Sequence, residues 1–515
     1  MPQTIIISLF LLITTSCVAK DKAVLEATIL IKGGSVFTGE NQPSELLDVA
    51  VCNNVICFVG ENSAHIKAVK VIDATGLIVT PGFIDPHTHA LSELSSDDQK
   101  QNLNYLTQGV TTVIIGNDGD GTAEVAALRA QLTEKGIGTN VGFLVGHNSV
   151  RKEVMGLSNS HATAEQLLKM KLLVAKGMDE GALGFSSGLY YVPGRYADTN
   201  EVIELAKEAA KGGGIYDSHI RDESTFNIGY LAAVKEFIEV AKQANIAAHM
   251  SHIKALGVDV WGQSREAINL INQARKDGLA ITADQYPWAA SGTNMKSAVI
   301  PSWVRADSDE AFMSRLIDVK LVPKIQAEIK ENIRRRGGAE ALLVTESNNK
   351  NWLGKTLQKI AEENGVSAEQ QVINMTLQEN VRVASFNMSQ QDIDNFMKQD
   401  WVVSSSDGTN GHPRKYASFP NKYKEYVESR KVITLQSFIH KSSGKTADIF
   451  NIEKRGYIKV SNYADINLID INNFQPKADF SHWNRLSTGV RHQLINGQLV
   501  LEEGKYRGIL PGSAL

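Results

Sequence analysis

The chain has 515 residues, 43% hydrophobic and 21% charged, with a formal net charge of −4. This is the composition of a soluble globular protein, long enough for a large α/β barrel with attachments. The near-neutral balance and the lack of a basic stripe exclude nucleic-acid binding as its business.

The chain opens on an apolar run, "IIISLFLLITT" (Ile5–Thr15), of signal-peptide length and too short to span a membrane comfortably. No Lys or Arg precedes it, and small residues lead from it to Cys17. This end resembles a bacterial lipoprotein signal. Residues 1–20 are expected to be a signal peptide, with Cys17 a candidate lipid anchor and the mature protein periplasmic or membrane-anchored.

From residue 28 to 80, short alternating runs separated by Gly and Asn turns predict strands. Cys52 and Cys57 flank the Asn53-Asn54 turn and read as hairpin packing residues, with no disulfide framework indicated. Residues 441–515 return to strands, including a turn at Asn496-Gly497. The two ends together predict one small β-sandwich, with a core inserted between them.

That core, residues 81–440, alternates. Eight segments read as buried strands: "GFIDPHTH", "TTVIIGND", "VGFLVGH", "GALGFSSG", "GGIYDSHI", "IAAHMSHI", "LAITADQY" and "WVVSSSD". Amphipathic helices lie between most of them, opening at Thr122, Thr163, Thr199 and Ser264 as candidate caps and closing near Gly. Strand and helix repeated to eight predict a (β/α)8 barrel. More than a hundred residues separate Tyr286 from Trp401, so a helical subdomain is expected at about 290–380.

In such a barrel the C-terminal strand ends share one face. His87 and His89 end the first strand; two apart, they point the same way. Asp118, His147, His219 with Arg221, His252 with Lys254, Asp284 with Tyr286, and Asp407 end others. Four of these histidines, His87, His89, His219 and His252, with Asp118 and Asp407, make a hard N/O donor set suited to zinc.

These residues carry a resemblance. "PGFIDPHTH" is similar to the opening motif of the amidohydrolase superfamily. With "GVTTVIIGNDG", "EGALGFSSGLYYVPGRYADTNE", "DSHIRDE", "SHIKALG", "DQYPW" and "SSSDG…HPRKYASFP", the chain from about residue 28 to 515 resembles the N-acyl-D-amino-acid deacylases, or D-aminoacylases. The resemblance implies one firmly held zinc on Asp118, His219 and His252, and a second, weaker position on His87, His89 and Asp407. Relatives place a cysteine at the position of Asp118; a carboxylate also ligates zinc. Asp407 is implied as general base and then general acid. Lys254, Tyr286 and Arg414 are implied to hold the substrate α-carboxylate. His147, Arg151 and Arg221 are site-shaping or structural, and Asp222 and Glu223 orient neighbours or lie in a solvated loop. No strand-four lysine offers a carbamylated bridge.

Acid-specific relatives carry a Ser and an Arg where simple register places Gly292 and Ala298, and Lys296 reads as a solvated residue. Neutral or apolar D-amino acids are therefore the expected leaving groups. Other readings are an L-Xaa-D-Xaa dipeptidase, a cyclic-amide hydrolase of the dihydroorotase type, and a metal-free binding protein on the same barrel. Oligomeric state is not legible.

Overall fold

The structure is a computed structural model describing residues 24–515. The expected signal segment and Cys17 lie outside the described residues. Among those described, no helix is long and apolar enough to cross a membrane.

Eight parallel strands form the barrel in chain order: Phe83–Asp85, Val110–Ile115, Asn140–Gly146, Gly184–Gly188, Ile215–His219, Ala248–Met250, Ile281–Gln285 and Val402–Ser404. Six lie within the expected segments, and the second and third each begin one residue earlier, at Val110 and Asn140. Helices cover the outside and side chains fill the inside, so strands such as Val110–Ile115 are buried throughout. The first and last strands meet through a parallel Thr88–Gly408 bridge, and Asp407 N–H donates to the His87 carbonyl at 3.0 Å. The seam thus closes beside the candidate ligands. Two short helices, Leu435–Ser442 and Gly444–Ile449, follow the last strand. Ala447, Phe450 and Ile452 then pack on Ile84, Ile114, Leu144 and Ile215 as an apolar cluster. Residues 441–452 therefore pack with the barrel, and the C-terminal strands begin only at Ile466.

Of the four expected caps, Thr163 acts as one, in a reciprocal capping box with Gln166. Asp198, one residue before Thr199, caps its helix by accepting from Glu201 N–H at 2.8 Å. Ser264 lies inside its helix, and Thr122 accepts from Glu124 N–H in the turn ahead of the next one.

The chain ends join in one connected nine-stranded sheet, where Ile78–Pro81 pairs antiparallel with Ile466–Ile469. Cys52 and Cys57 are not merely packing residues: they form a disulfide. The tight hairpin brings their Cα atoms to 5.7 Å, within bridging range. The insertion has a three-stranded antiparallel sheet of Ala290–Asn294, Arg382–Phe386 and Leu342–Glu346, with helices and an apolar core of its own.

Strand four ends in no polar ligand, and its last residue shows why that matters. A Cβ on Gly188 would lie 2.0 Å from the Asp118 carbonyl oxygen. Gly188→Ala is expected to displace Asp118, with overpacking that costs about 1–3 kcal/mol and about a tenfold loss of zinc retained on dialysis. Metal analysis of the purified variant checks this; full zinc content would contradict it.

Candidate metal centre

The rim of the barrel gathers the six expected ligands. Asp118 sits in a tight turn after strand two, between Gly116 and Gly119, both at positive φ. Asp118, His252 and Asp407 themselves have φ of 58°, 35° and 46°. Left-handed backbone is uncommon for such residues and concentrates where a site over-determines it. Asp85 explains the carboxylate ahead of the His-x-His pair: its Oδ1 accepts from the N–H of His87 and of Ser406, tying the first loop to the last.

Two donor sets result, His87–His89–Asp118–Asp407 and Asp118–His219–His252, in each of which the donor atoms lie within 4.8 Å of one another. Asp118 belongs to both. Its Oδ1 is 3.5 Å from His87 Nε2, 3.5 Å from His219 Nδ1 and 3.4 Å from His252 Nε2. Its Oδ2 is 3.6 Å from His89 Nε2. Asp407 Oδ1 lies 3.7 Å from His87 Nε2 and 3.5 Å from His89 Nε2. These separations are long for hydrogen bonds but match a tetrahedron's edge, about 3.3–3.6 Å for zinc–ligand bonds of about 2.0–2.2 Å. Asp118 Oδ1, His87 Nε2 and His219 Nδ1 are buried and have no hydrogen-bond partner. A cation satisfies such atoms, so the residues present fit a metal ion.

The field has the matching sign. Burial disfavours the charged form of His87, yet the Asp118 and Asp284 carboxylates outweigh it and raise its pKa well above the usual imidazole value. Burial likewise pushes Asp118 up, but the facing imidazoles hold it well below the carboxylate range.

Behind the ligands lies a second ring of contacts. Glu223 is buried between two imidazoles: Oε1 is 3.2 Å from His252 Nδ1, and Oε2 is 3.7 Å from His219 Nε2, beyond hydrogen-bond reach. Nδ1 of His252, the ring nitrogen turned away from Asp118, also meets Lys254 Nζ at 2.7 Å, so Glu223 and Lys254 together fix that ring. Lys254 Nζ donates to the same carboxylate at 2.6 Å and to the His252 carbonyl at 3.1 Å. Burial works against the Glu223 anion, but Lys254 and the imidazoles hold its pKa down to about 2. Asp222 is also buried and accepts from four backbone N–H groups of the following loop. Neither residue lies in a solvated loop.

A further set, Asp217, His249 and Asp284, lies beneath. Its members are hydrogen-bonded: His249 to Thr282 and Asp284, and Asp217 to Asn117 and Ser251. Asp284 Oδ1 also accepts from His252 N–H at 3.0 Å. We read it as a support for the ligands. His249 and Asp217 were passed over in sequence, although Asp217 stands two residues before His219, on the same face of its strand.

The implied carboxylate-binding residues also converge. The Arg414 guanidinium lies 4.7 Å and Lys254 Nζ 5.6 Å from the Tyr286 ring centre, and all three are buried. Arg414 Nη1 donates to Asp407 Oδ2 at 2.7 Å. His147, Arg151 and Arg221 do not shape the site. His147 and Arg151 grip the buried Glu201, and Arg221 grips Glu236 and the Arg195 carbonyl. They brace the outer helices, because a buried guanidinium takes the carboxylate nearest to it.

A metal-ready rim at the C-terminal face of a (β/α)8 barrel is the setting of an enzyme that works through a bound ion. The Amidohydrolase family profile matches residues 70–501, and the chain belongs to that family. It is 26% identical to the D-aminoacylase of Alcaligenes xylosoxydans xylosoxydans, over 95% of this chain and 97% of that one. It is 28% identical to the N-acyl-D-glutamate deacylase of the same organism, over 92% and 94%. The crystal structure of N-acyl-D-glutamate deacylase from Bordetella bronchiseptica, complexed with zinc and a phosphonate mimic of the tetrahedral intermediate, superposes with a TM-score of 0.82. That match has 26% identity and covers 95% of this chain and 99% of the other.

Because its carboxylate faces the His252 ring and holds Lys254 beside it, Glu223→Gln is expected to weaken zinc binding by about 10- to 100-fold. Competition against a chromophoric chelator measures it, and wild-type affinity would contradict the assignment.

Proposed function

We propose that the protein hydrolyses the amide bond of N-acyl-D-amino acids, releasing a carboxylate and a free D-amino acid, with zinc as its metal. The observation that carries this reading is the placing of a buried Lys254–Tyr286–Arg414 cluster against the metal rim, through the Arg414–Asp407 pair. A metal site alone would serve many hydrolases; Lys254 and Arg414, each already beside a carboxylate of the chain, and the Tyr286 hydroxyl are donors suited to a substrate with a free carboxylate. The zinc-bound deacylase structure described above supports the metal, and the D-aminoacylase and N-acyl-D-glutamate deacylase relatives support the substrate class.

Zinc, when bound, lowers the pKa of a coordinated water to about 7 and polarises the scissile carbonyl. Asp407 is the proton carrier. Arg414 holds its Oδ2, which leaves Oδ1 directed at His87 and His89. From there it takes the proton of the attacking water and delivers it to the amide nitrogen as the C–N bond breaks. Lys254, Tyr286 and Arg414 anchor the α-carboxylate. With that group on one side and the carbonyl on the other, D and L substrates differ only in where the side chain points, and the wall that admits the side chain selects the D form.

Export belongs to the same reading. The apolar run Ile5–Thr15 stands just ahead of Cys17, and a disulfide such as Cys52–Cys57 is at home in an oxidising compartment. Fatty-acid labelling that disappears in Cys17→Ser tests the anchor; an unlabelled cytoplasmic protein contradicts both anchor and export.

A panel of N-acetyl-D- and N-acetyl-L-amino acids tests the activity. Hydrolysis of D-substrates alone is expected, lost on chelation and restored by zinc. Asp407→Asn should lower kcat by about 10²–10⁴-fold. Turnover of L-substrates, or activity untouched by chelator, would overturn the proposal.

A further inference from the structure

Three arginines end the helix Val322–Arg335 and its cap in the run "RRRGG". Two are ordinary surface residues: Arg334 pairs with Asp259 and Glu331, and Arg335 lies against Glu331. Arg336 is different. It is 3% exposed, and two glycines at positive φ, Gly337 and Gly338, end the helix so that its side chain enters the protein.

Every polar partner of Arg336 is neutral. Nε donates to the Ala298 carbonyl at 2.7 Å, Nη1 to Ser385 Oγ at 3.4 Å and Nη2 to Tyr190 Oη at 3.4 Å. Turned so that its oxygen faces the guanidinium, the Asn387 amide accepts from Nη1 at 3.1 Å. The aromatic face of Phe226 lies 5.4 Å away. No carboxylate among the described residues pairs with it. A guanidinium stays charged in any protein setting, and a buried charge without a counter-charge is strongly unfavourable.

The same guanidinium lines a small cavity with Tyr190, Phe226, Lys254, Ser291 and Arg414, which reaches His219 and His252 at the metal rim. Its lining holds three cations, Lys254, Arg336 and Arg414, and two carboxylates, Glu223 and Asp407. Glu223 is engaged by Lys254 and Asp407 by Arg414. Arg336 is the cation left over. The space measures about 30 Å³, room for roughly two waters or the two oxygens of a carboxylate.

We propose that Arg336 binds a second carboxylate of the substrate, so that the preferred leaving groups are acidic D-amino acids, D-aspartate or D-glutamate. This rests on the deacylase function proposed above and names its substrate class. It replaces the expectation of neutral side chains, which rested on Gly292 and Ala298. Ala298 supplies no charge, but its carbonyl holds the guanidinium of a residue 38 positions further on. A planar two-pronged donor in a desolvated pocket is suited to a carboxylate and rejects an apolar group that leaves it unpaired.

The test compares kcat/KM of the zinc-loaded wild type on N-acetyl-D-glutamate, N-acetyl-D-aspartate and N-acetyl-D-leucine, then repeats it with Arg336→Met and Arg336→Lys. The wild type is expected to prefer an acidic substrate over D-leucine by about 100-fold or more. In Arg336→Met that ratio should fall by about tenfold or more, mainly through KM, and Arg336→Lys should restore part of it. A wild-type preference for D-leucine overturns the inference without help from any variant. A ratio unchanged in Arg336→Met also overturns it, and assigns Arg336 to the α-carboxylate or to folding. Hydrolysis of no N-acyl-D-amino acid at all would instead overturn the deacylase function itself.

Discussion

The structure turns on one buried carboxylate. Asp118 faces four imidazoles through its two oxygens, and it is the only residue common to the two donor sets at the rim. An anion this deep is tolerated only with a cation in reach, because desolvating a lone carboxylate costs several kcal/mol. Ligand contacts at tetrahedral-edge spacing, rather than hydrogen-bond spacing, show which kind of cation the rim is built for. The left-handed turn at Asp118, the glycines beside it and the Gly188 contact beneath its carbonyl all follow from holding this group in place.

The remainder of the rim is braced to the same end. Strands one and eight close through Thr88–Gly408 and the Asp407-to-His87 backbone bond, so ligands hundreds of residues apart in sequence become neighbours. Glu223 faces the His252 ring, and Asp284 holds the His252 backbone. Metal, substrate cluster and proton carrier are linked by ion pairs: Lys254 to Glu223 and Arg414 to Asp407. A carboxylate drawn to Lys254 and Arg414 therefore arrives beside the groups that cleave the amide.

Much of this was legible before any coordinates. Parallel barrel strands are apolar runs that end abruptly in polar residues, and the spacing of His87 and His89 obeys the two-residue period of a strand. For the misplaced charged residues the cause is shared. His147, Arg151 and Arg221 also follow strands, but their partners Glu201 and Glu236 sit on helices, and no local pattern says which way such a side chain turns. Arg336 was hidden for the same reason, inside a charged run whose first two members are surface residues. The cap moved from Thr199 to Asp198 because both residue types cap well and only the backbone decides between neighbours. The Cys52–Cys57 bridge is not legible in the sequence, because it depends on the Cα separation of 5.7 Å that the folded hairpin sets.

The central claim, that Asp118 is a shared metal ligand, is tested most directly by crystals of the zinc-loaded protein measured on both sides of the zinc absorption edge. The account predicts an anomalous peak enclosed by Asp118, His219 and His252, with any second peak on the His87, His89 and Asp407 side of the same carboxylate. Zinc bound elsewhere, or at the rim with Asp118 turned away, would contradict it.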